Sequence, residues 1–185
     1  MEKLRIEFRP NYKFEDYLAW EGKWELIDGV PYSMSPSPTK KHQLVSANVG
    51  IQLNELLKNC SECQAFIALD WRINDEHDNN VFCPDNSVVC KPVTGDYIET
   101  TPELIFEILS PSTAGKDKEA KYIIYQHHGV KYYVIIDIES STAEIFVLES
   151  GKYKNVTEEN NGSFTFDLGK CRINFDFRSI WKTEK

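Results

Sequence analysis

Residues 103–113 read ELIFEILSPST, and this stretch decides the fold. Its apolar residues form a continuous run between Pro102 and Pro111, as is typical of a central strand whose two faces are both covered. Glu107 interrupts that run. An ionised carboxylate buried there costs several kcal/mol unless a cation, a metal or hydrogen bonds compensate it. The strand therefore raises the question of what compensates Glu107.

The bulk composition indicates one globular domain over residues 1–185. The chain has 41% hydrophobic and 12% aromatic residues, enough for a substantial core. It contains no apolar stretch near the ~20 residues that span a bilayer. The first ten residues, MEKLRIEFRP, lack the apolar core of a signal peptide. We therefore expect a soluble, cytoplasmic protein with no membrane partner.

The chain has 5 cysteines, an odd number that argues against a secreted disulfide framework. Cys60 and Cys63 have the CxxC spacing that can form half of a zinc site. No second CxxC or HxxxH follows, and Cys83 and Cys90 flank a predicted strand instead. The sequence favours free thiols over zinc.

The net charge of −8 bears on which partners the protein can bind. Proteins that bind nucleic acid mainly through charge usually carry a basic surface. An acidic chain needs a local basic patch or a bound cation to do the same. Our candidates for such a patch are four lysines, although a solvated face is the favoured interpretation of each: Lys40, Lys41, Lys116 and Lys118.

The hydrophobic pattern along the chain predicts an α/β sandwich with a mixed sheet. Asp28-Gly29 marks a hairpin, and a long amphipathic helix begins at Lys40. The other predicted elements are a helix at 14–20, strands at 64–73 and 80–90, the strand of Glu107, a helix at 112–128, a strand at 130–137 and a hairpin at 142–156.

Asp85 is a second acidic residue within apolar sequence. It follows Pro84 between two short hydrophobic runs. If Asp85 and Glu107 lie on neighbouring strands, the two carboxylates repel each other unless positive charge lies between them. A Mg²⁺ or Mn²⁺ ion would resolve this repulsion, since carboxylates, carbonyls and water are the ligands these ions prefer. Hydrogen bonds from backbone amides or pairing with nearby lysines would resolve it equally well.

The helix after Glu107 carries a lysine that could reach the strand. At ~100° per residue, Ala120, Ile123 and Ile124 form the face directed at the sheet. Asp117 falls near that face, and Lys121 lies at its margin with its ammonium group able to reach the strand end. The alternative is that Asp117 and Lys121 form an i,i+4 surface pair, worth a few tenths of a kcal/mol.

These motifs together resemble the Uma-two family of endonucleases, within the PD-(D/E)XK, or restriction-endonuclease-like, superfamily. The central signature is PELIFEILSPST (102–113) followed by DKEAKYIIYQHHGVKYYVIID (117–137). The resemblance extends from WELIDGVPYSMSPSP (24–38) to ESGKY (149–153), which is nearly the whole chain. It implies an α/β restriction-endonuclease-like fold, with a mixed β-sheet core flanked by helices.

The resemblance also implies a metal site. Asp85 and Glu107 match the two acidic motif positions that hold Mg²⁺ or Mn²⁺, and the backbone carbonyl of Ile108 matches a third ligand. The superfamily lysine usually stands two residues after the glutamate, but that position is Leu109 here. Lys121 on the following helix matches the displaced lysine of the family. The implied catalytic residues are therefore Asp85, Glu107 and Lys121.

Accessory residues follow from the same resemblance. Glu25 and His42 match upstream positions that complete such a site, and Asp117 is a further candidate near Lys121. His42 could bind metal, carry a proton or contact phosphate. It could equally be an ordinary histidine at the start of a helix.

The implied activity is metal-dependent hydrolysis of phosphodiester bonds in DNA. A catalytically inactive nuclease-fold module that binds nucleic acid or protein is the alternative, and Leu109 together with the acidic composition leaves room for it. A purely structural domain with compensated buried acids is a third interpretation. By analogy with the superfamily, in which each site cuts one strand, we expect a homodimer.

Overall fold

The helices lie on both faces of a central sheet. The computed structural model describes residues 10–34, 37–110, 117–157 and 162–182, without the side chains of 117 and 118. Among these residues, no helix is both long enough and apolar enough to cross a membrane. The helical elements are α1 (Phe14–Tyr17), α2 (Lys40–Leu57), a π-helical turn (Asp117–Lys121), α3 (Tyr122–His127) and a 3₁₀ turn (Phe177–Ser179).

Three sheets contain the described strands. The largest has the order β10-β9-β8-β7-β6-β3, a second has β2-β1-β5-β4, and a third pairs β11 with β12. The strands are β1 (Trp24–Ile27), β2 (Val30–Ser33), β3 (Gln64–Ile67), β4 (Trp71–Ile73), β5 (Asn80–Phe82), β6 (Asn86–Val89), β7 (Leu104–Ile108), β8 (Tyr132–Asp137), β9 (Thr142–Glu149), β10 (Lys152–Asn155), β11 (Ser163–Asp167) and β12 (Arg172–Asp176).

Strand β7 lies in the middle of the largest sheet, as its apolar sequence predicts. It pairs parallel to β8 and antiparallel to β6, so the predicted mixed sheet is confirmed. Every residue of β7 is buried. The parallel pairing requires a crossover connection, and α3 belongs to that connection.

The two faces of β7 belong to different parts of the core. Phe106 and Ile108 pack with α2 and the β11–β12 hairpin in one cluster. Ile105 and Leu109 pack in the other cluster with residues of α3, β4 and β5. Because side chains alternate along a strand, Glu107 lies on the same face as Ile105 and Leu109. Its carboxylate is therefore directed to the α3 side.

The predicted hairpins and the long helix are confirmed, but other boundaries differ. The predicted strand at 64–73 is two strands, because Ala68 has φ +50 and its N–H donates to the carbonyl of Asp85. The strand predicted at 80–90 is likewise broken at Cys83-Pro84-Asp85. The helix predicted at 14–20 ends at Tyr17. The first part of the helix predicted at 112–128 lies outside the described residues.

The expectation of free thiols is wrong for four cysteines. The structure joins Cys60 to Cys171 and Cys63 to Cys90, while Cys83 remains free and buried. The partners are 111 and 27 residues apart along the chain. A search for a second nearby CxxC therefore could not find them.

Candidate active site

A buried lysine compensates Glu107. The Nζ atom of Lys121 lies 2.8 Å from Oε1 of Glu107 and 2.9 Å from Oε1 of Glu25. The side chains of Lys121 and Glu107 are each 3% exposed and that of Glu25 is 1% exposed. Three charged groups so deeply buried are tolerated because the ammonium group bonds to both carboxylates. The ammonium group of Lys121 therefore compensates the charge of Glu107 within the apolar strand.

Three separate elements bring the triad together. Glu107 extends from β7 toward α3, and Glu25 extends from β1. Lys121 is the last residue of the π-helical turn, directly before α3. The backbone N–H of Cys83 donates to Oε1 of Glu25 at 3.1 Å, which fixes that carboxylate from the β5–β6 connection. Single π-helical turns are frequent at functional sites because they change the direction of the side chains on a helix.

Tyr125 also belongs to this cluster. Its hydroxyl group donates to Oε1 of Glu107 at 2.8 Å, and the residue is fully buried. Burial, reinforced by the negative charge of Glu107, raises the pKa of Tyr125 well above its ordinary value. The phenol therefore stays protonated and acts as a donor. Its i,i+4 spacing from Lys121 places both residues on one helical face.

The helical wheel misplaced the buried face of this segment. It placed Ile123 against the sheet, yet Ile123 is 62% exposed. Lys121, expected at the margin, is buried together with Tyr125. The wheel centred the buried face on the isoleucines, whereas the buried stripe is Lys121 and Tyr125, which lie about 40° apart at ~100° per residue. The side chain of Asp117 lies outside the described residues, so the proposed Asp117–Lys121 pair cannot be placed.

Asp85 lies at the end of β7 next to Glu107. The backbone N–H of Ile108 donates to Oδ2 of Asp85 at 2.8 Å. The Nε2 atom of His42 lies 3.4 Å from the same oxygen. His42 is 7% exposed, in the first turn of α2, where its backbone N–H donates to the capping Thr39 side chain. The structure therefore brings His42 into contact with one of the two predicted metal-binding acids.

The site thus has two adjoining parts. The first is the buried triad of Lys121, Glu107 and Glu25, and the second is the Asp85–His42 pair, whose side chains are 21% and 9% exposed. They adjoin through the consecutive residues Glu107 and Ile108 of β7. Of these five side chains, that of Asp85 is the most exposed.

The donor groups fit a divalent cation in charge and type. With Glu25, Glu107 and Asp85 ionised and Lys121 protonated, the groups carry a formal net charge of −2, which a divalent cation would balance. Among the described residues, a set of three His, Cys, Asp or Glu side chains close enough to share a metal ion occurs at the cysteines. No such set of three occurs in the described part of this site. A cation at Asp85 and Glu107 would therefore need the Ile108 carbonyl and water as further ligands.

The usual lysine position contributes to the core instead. Leu109 is 8% exposed and packs with Ile105 and Tyr133. Lys41, one of the predicted phosphate contacts, donates through Nζ to the backbone carbonyl of Ile138. Lys40 is exposed at the start of α2. The other two lysine candidates, Lys116 and the side chain of Lys118, lie outside the described residues.

A family model and two known proteins match this chain. Residues 14–166 match the model of the Uma2 (Uma-two) family, which is described as "Putative restriction endonuclease". An uncharacterized protein from Synechocystis sp. is 30% identical over 142 residues, which are 74% of this chain and 73% of the relative.

The fold matches a crystal structure of a "putative nuclease belonging to DUF820" from Anabaena variabilis. The TM-score is 0.76 at 16% identity, over 93% of this chain and 98% of the other. At this identity the likeness establishes the fold, and the predicted restriction-endonuclease-like α/β architecture is confirmed.

Proposed function

Because the chain belongs to the Uma2 family of restriction-endonuclease-like proteins, we propose that it is a metal-dependent DNA endonuclease. The reaction would be hydrolysis of a phosphodiester bond at the carboxyl end of β7, beside Asp85. The observation that carries the proposal is the buried Lys121 ammonium, held between Glu107 and Glu25 although Leu109 occupies the usual lysine position. Burying a charge of this kind costs desolvation free energy, and the resulting ion pair contributes weakly to stability. A purely structural role therefore does not explain it.

The metal would be Mg²⁺ or Mn²⁺, held by Asp85, Glu107 and the backbone carbonyl of Ile108. When bound, such an ion supplies positive charge to the phosphate oxygens and lowers the pKa of a water molecule. Asp85 supports this role because Ile108 N–H and His42 orient its carboxylate at the end of β7. A carboxylate offers about four acceptor sites, so one carboxylate can accept hydrogen bonds and bind a cation at the same time.

Lys121 would stabilise negative charge at the phosphate or position the attacking water. Its compact ammonium group carries three donors and contacts both Glu107 and Glu25. Glu25 and Tyr125 are positioning residues in this scheme: Glu25 bonds to Lys121, and Tyr125 donates to Glu107. A rigid, dry arrangement of this kind strengthens electrostatic stabilisation of a transition state.

DNA as the partner is compatible with the net charge of −8 if the cation and local lysines neutralise the contact surface. Lys40 is the exposed lysine nearest in sequence to His42. By analogy with related nucleases, a homodimer would cut both strands. Sedimentation of the free protein would test that part separately.

Cleavage assays test the proposal directly. Wild type should cleave supercoiled or single-stranded DNA with Mg²⁺ or Mn²⁺ at low salt, where phosphate contacts are least screened. The variant Asp85→Asn/Glu107→Gln should lose nearly all of that activity. Glu119→Gln changes an exposed carboxylate on the π-helical turn that also carries Lys121, and this matched control should retain the activity. Equal cleavage by the double variant would refute the assigned site.

A non-catalytic nuclease-fold module is the second candidate, and the core position of Leu109 favours it. Its signature would be metal-independent DNA binding in a folded protein that cleaves none of the substrates.

A further inference from the structure

Four cysteines from three parts of the chain meet at one place. Cys60 and Cys63 follow α2, Cys90 follows β6, and Cys171 lies in the β11–β12 turn. The sulfur atoms of Cys60, Cys63 and Cys171 all lie within 4.8 Å of one another, and Cys90 is joined to Cys63. We propose that in the reduced protein these four thiolates hold one structural Zn²⁺ ion.

The sulfur geometry supports a shared metal. The Sγ atoms of Cys171 and Cys63, which are not disulfide partners, lie 3.8 Å apart. In a tetrahedral zinc–thiolate centre with Zn–S near 2.3 Å, neighbouring sulfurs are separated by roughly 1.6 times that length, about 3.8 Å. A contact between two sulfurs from different disulfides therefore already has the length of a tetrahedral edge.

The backbone around the cluster is fixed by contacts that do not involve sulfur. The N–H of Cys60 donates to the carbonyl of Leu57 at 2.8 Å, which turns the chain at the end of α2. Gln64 pairs with Val89 across β3 and β6, so the preceding Cys63 faces the following Cys90. These contacts would hold three of the cysteines in place when their thiols are reduced.

The fourth cysteine is brought in by the C-terminal hairpin. The N–H of Leu168 donates to the carbonyl of Cys171 at 2.8 Å, which closes the β11–β12 turn. The Nζ atom of Lys170 lies 3.2 Å from Oε2 of Glu62. This ion pair joins the turn to the segment between Cys60 and Cys63. A metal at the cluster would therefore fasten the hairpin to the end of α2.

The ligand set indicates a structural role. Four thiolates with Cys-x-x-Cys spacing at one pair form a closed tetrahedral set that suits zinc and leaves no position for substrate. Cys63 is buried, and the cluster packs against the core that contains α2 and the β11–β12 hairpin. The cluster is also separate from the candidate active site. Asp85 precedes β6 and Cys90 follows it, and five residues of strand span about 17 Å.

Metal and thiol analysis of the whole chain tests this proposal. Protein produced with zinc and purified under reducing conditions should contain about one zinc per chain. All 5 thiols should react in denaturant once the zinc is removed, against one thiol if both disulfides are present. Zinc-free wild type in reductant, despite supplied zinc, would overturn the proposal, as would a count of one reactive thiol in protein purified with mild reductant.

Single substitutions locate the site. Cys171→Ser and Cys90→Ser should each weaken zinc binding by at least tenfold, whereas Cys83→Ser should keep full zinc content because Cys83 lies outside the cluster. If a serine variant fails to fold, Co²⁺ titration of reduced wild type remains decisive. The intense charge-transfer and ligand-field bands of tetrahedral cobalt thiolate support the site, and their absence contradicts it. Zinc retained by Cys90→Ser/Cys171→Ser would also contradict it.

Discussion

The Nζ atom of Lys121 lies 2.8 Å from Oε1 of Glu107, fourteen residues earlier in the chain. Both groups are almost fully buried, and Glu25 shares the same ammonium. A buried ion pair of this kind is costly to break, because removing one member leaves the other charge uncompensated. A substitution of Lys121 is therefore expected to change stability whatever it does to activity, so cleavage and unfolding are both measured.

The first prediction concerns Lys121. Lys121→Met should reduce turnover by about 10²–10⁴-fold, the usual effect of losing one positioned charge or proton-transfer group. It should also lower the free energy of unfolding by about 3–5 kcal/mol, since two buried carboxylates lose their cation. Cleavage kinetics and denaturant unfolding measure the two effects.

Controls separate charge from shape at this position. Lys121→Arg should rescue little activity, because a planar guanidinium group does not replace a compact ammonium group. Lys152→Ala, at an exposed position on β10, should leave turnover and stability close to those of wild type. Full activity in Lys121→Met would exclude Lys121 from the chemistry.

The second prediction links metal binding to stability. Mg²⁺ or Mn²⁺ should raise the melting temperature of wild type by mass action, because binding adds about 2.7 kcal/mol to the free energy of unfolding when the free metal is 100 times its dissociation constant. In Glu107→Gln this increment should shrink. The stability of the metal-free variant should change by less than that of Lys121→Met, because the amide oxygen still accepts from Tyr125 and Lys121. Thermal unfolding with and without metal measures both quantities. A metal response equal to that of wild type would show that Glu107 is not a ligand, with exposed Glu119→Gln as the reference.

The third prediction concerns Tyr125. Removing its hydroxyl group in Tyr125→Phe should cost about 1.5–3 kcal/mol of stability, the usual value for a hydrogen bond to a charged group. The folded pKa of Tyr125 is raised above the ordinary value of 10.0, so its contribution is fully present below pH 10 and is lost as pH rises further. The difference in unfolding free energy between wild type and Tyr125→Phe should therefore be constant from pH 7 to 9 and narrow above pH 10. A difference that grows above pH 10 would contradict the assigned hydrogen bond.

The sequence predicted the central strand and placed Lys121 on the helix within reach of it, but not the depth of burial of Lys121. The apolar run around Glu107 and the Asp28-Gly29 turn are local signals, and both elements formed as expected. The hydrophobic pattern assigned the isoleucines to the buried face, whereas the face that is buried carries Lys121 and Tyr125, whose polar groups bond to Glu107. A wheel based on hydrophobicity alone cannot place polar side chains whose buried partner comes from another element.

Contacts between residues far apart in the chain could not be predicted from local sequence patterns either. Glu25 meets Lys121 only because β1 and the β5–β6 connection fold beside α3, and no local periodicity encodes that meeting. Family resemblance identified Glu25 where residue patterns alone did not. No such resemblance applied to the cysteines, and their spacing of 27 and 111 residues concealed the cluster.

The last prediction distinguishes a positioning residue from a metal ligand by comparing Glu25 with Asp85. Glu25 contacts Lys121 and the N–H of Cys83, whereas Asp85 contacts Ile108 N–H and His42. Glu25→Gln should therefore lower kcat about tenfold or more, because Lys121 is held less firmly, while the metal concentration for half-maximal activity stays near that of wild type. Asp85→Asn should raise that concentration at least tenfold. Metal titrations of cleavage, with binding measured by calorimetry in the absence of DNA, provide the comparison. If Glu25→Gln weakens metal binding as much as Asp85→Asn does, Glu25 is itself a ligand and the cation lies deeper in the triad than we propose.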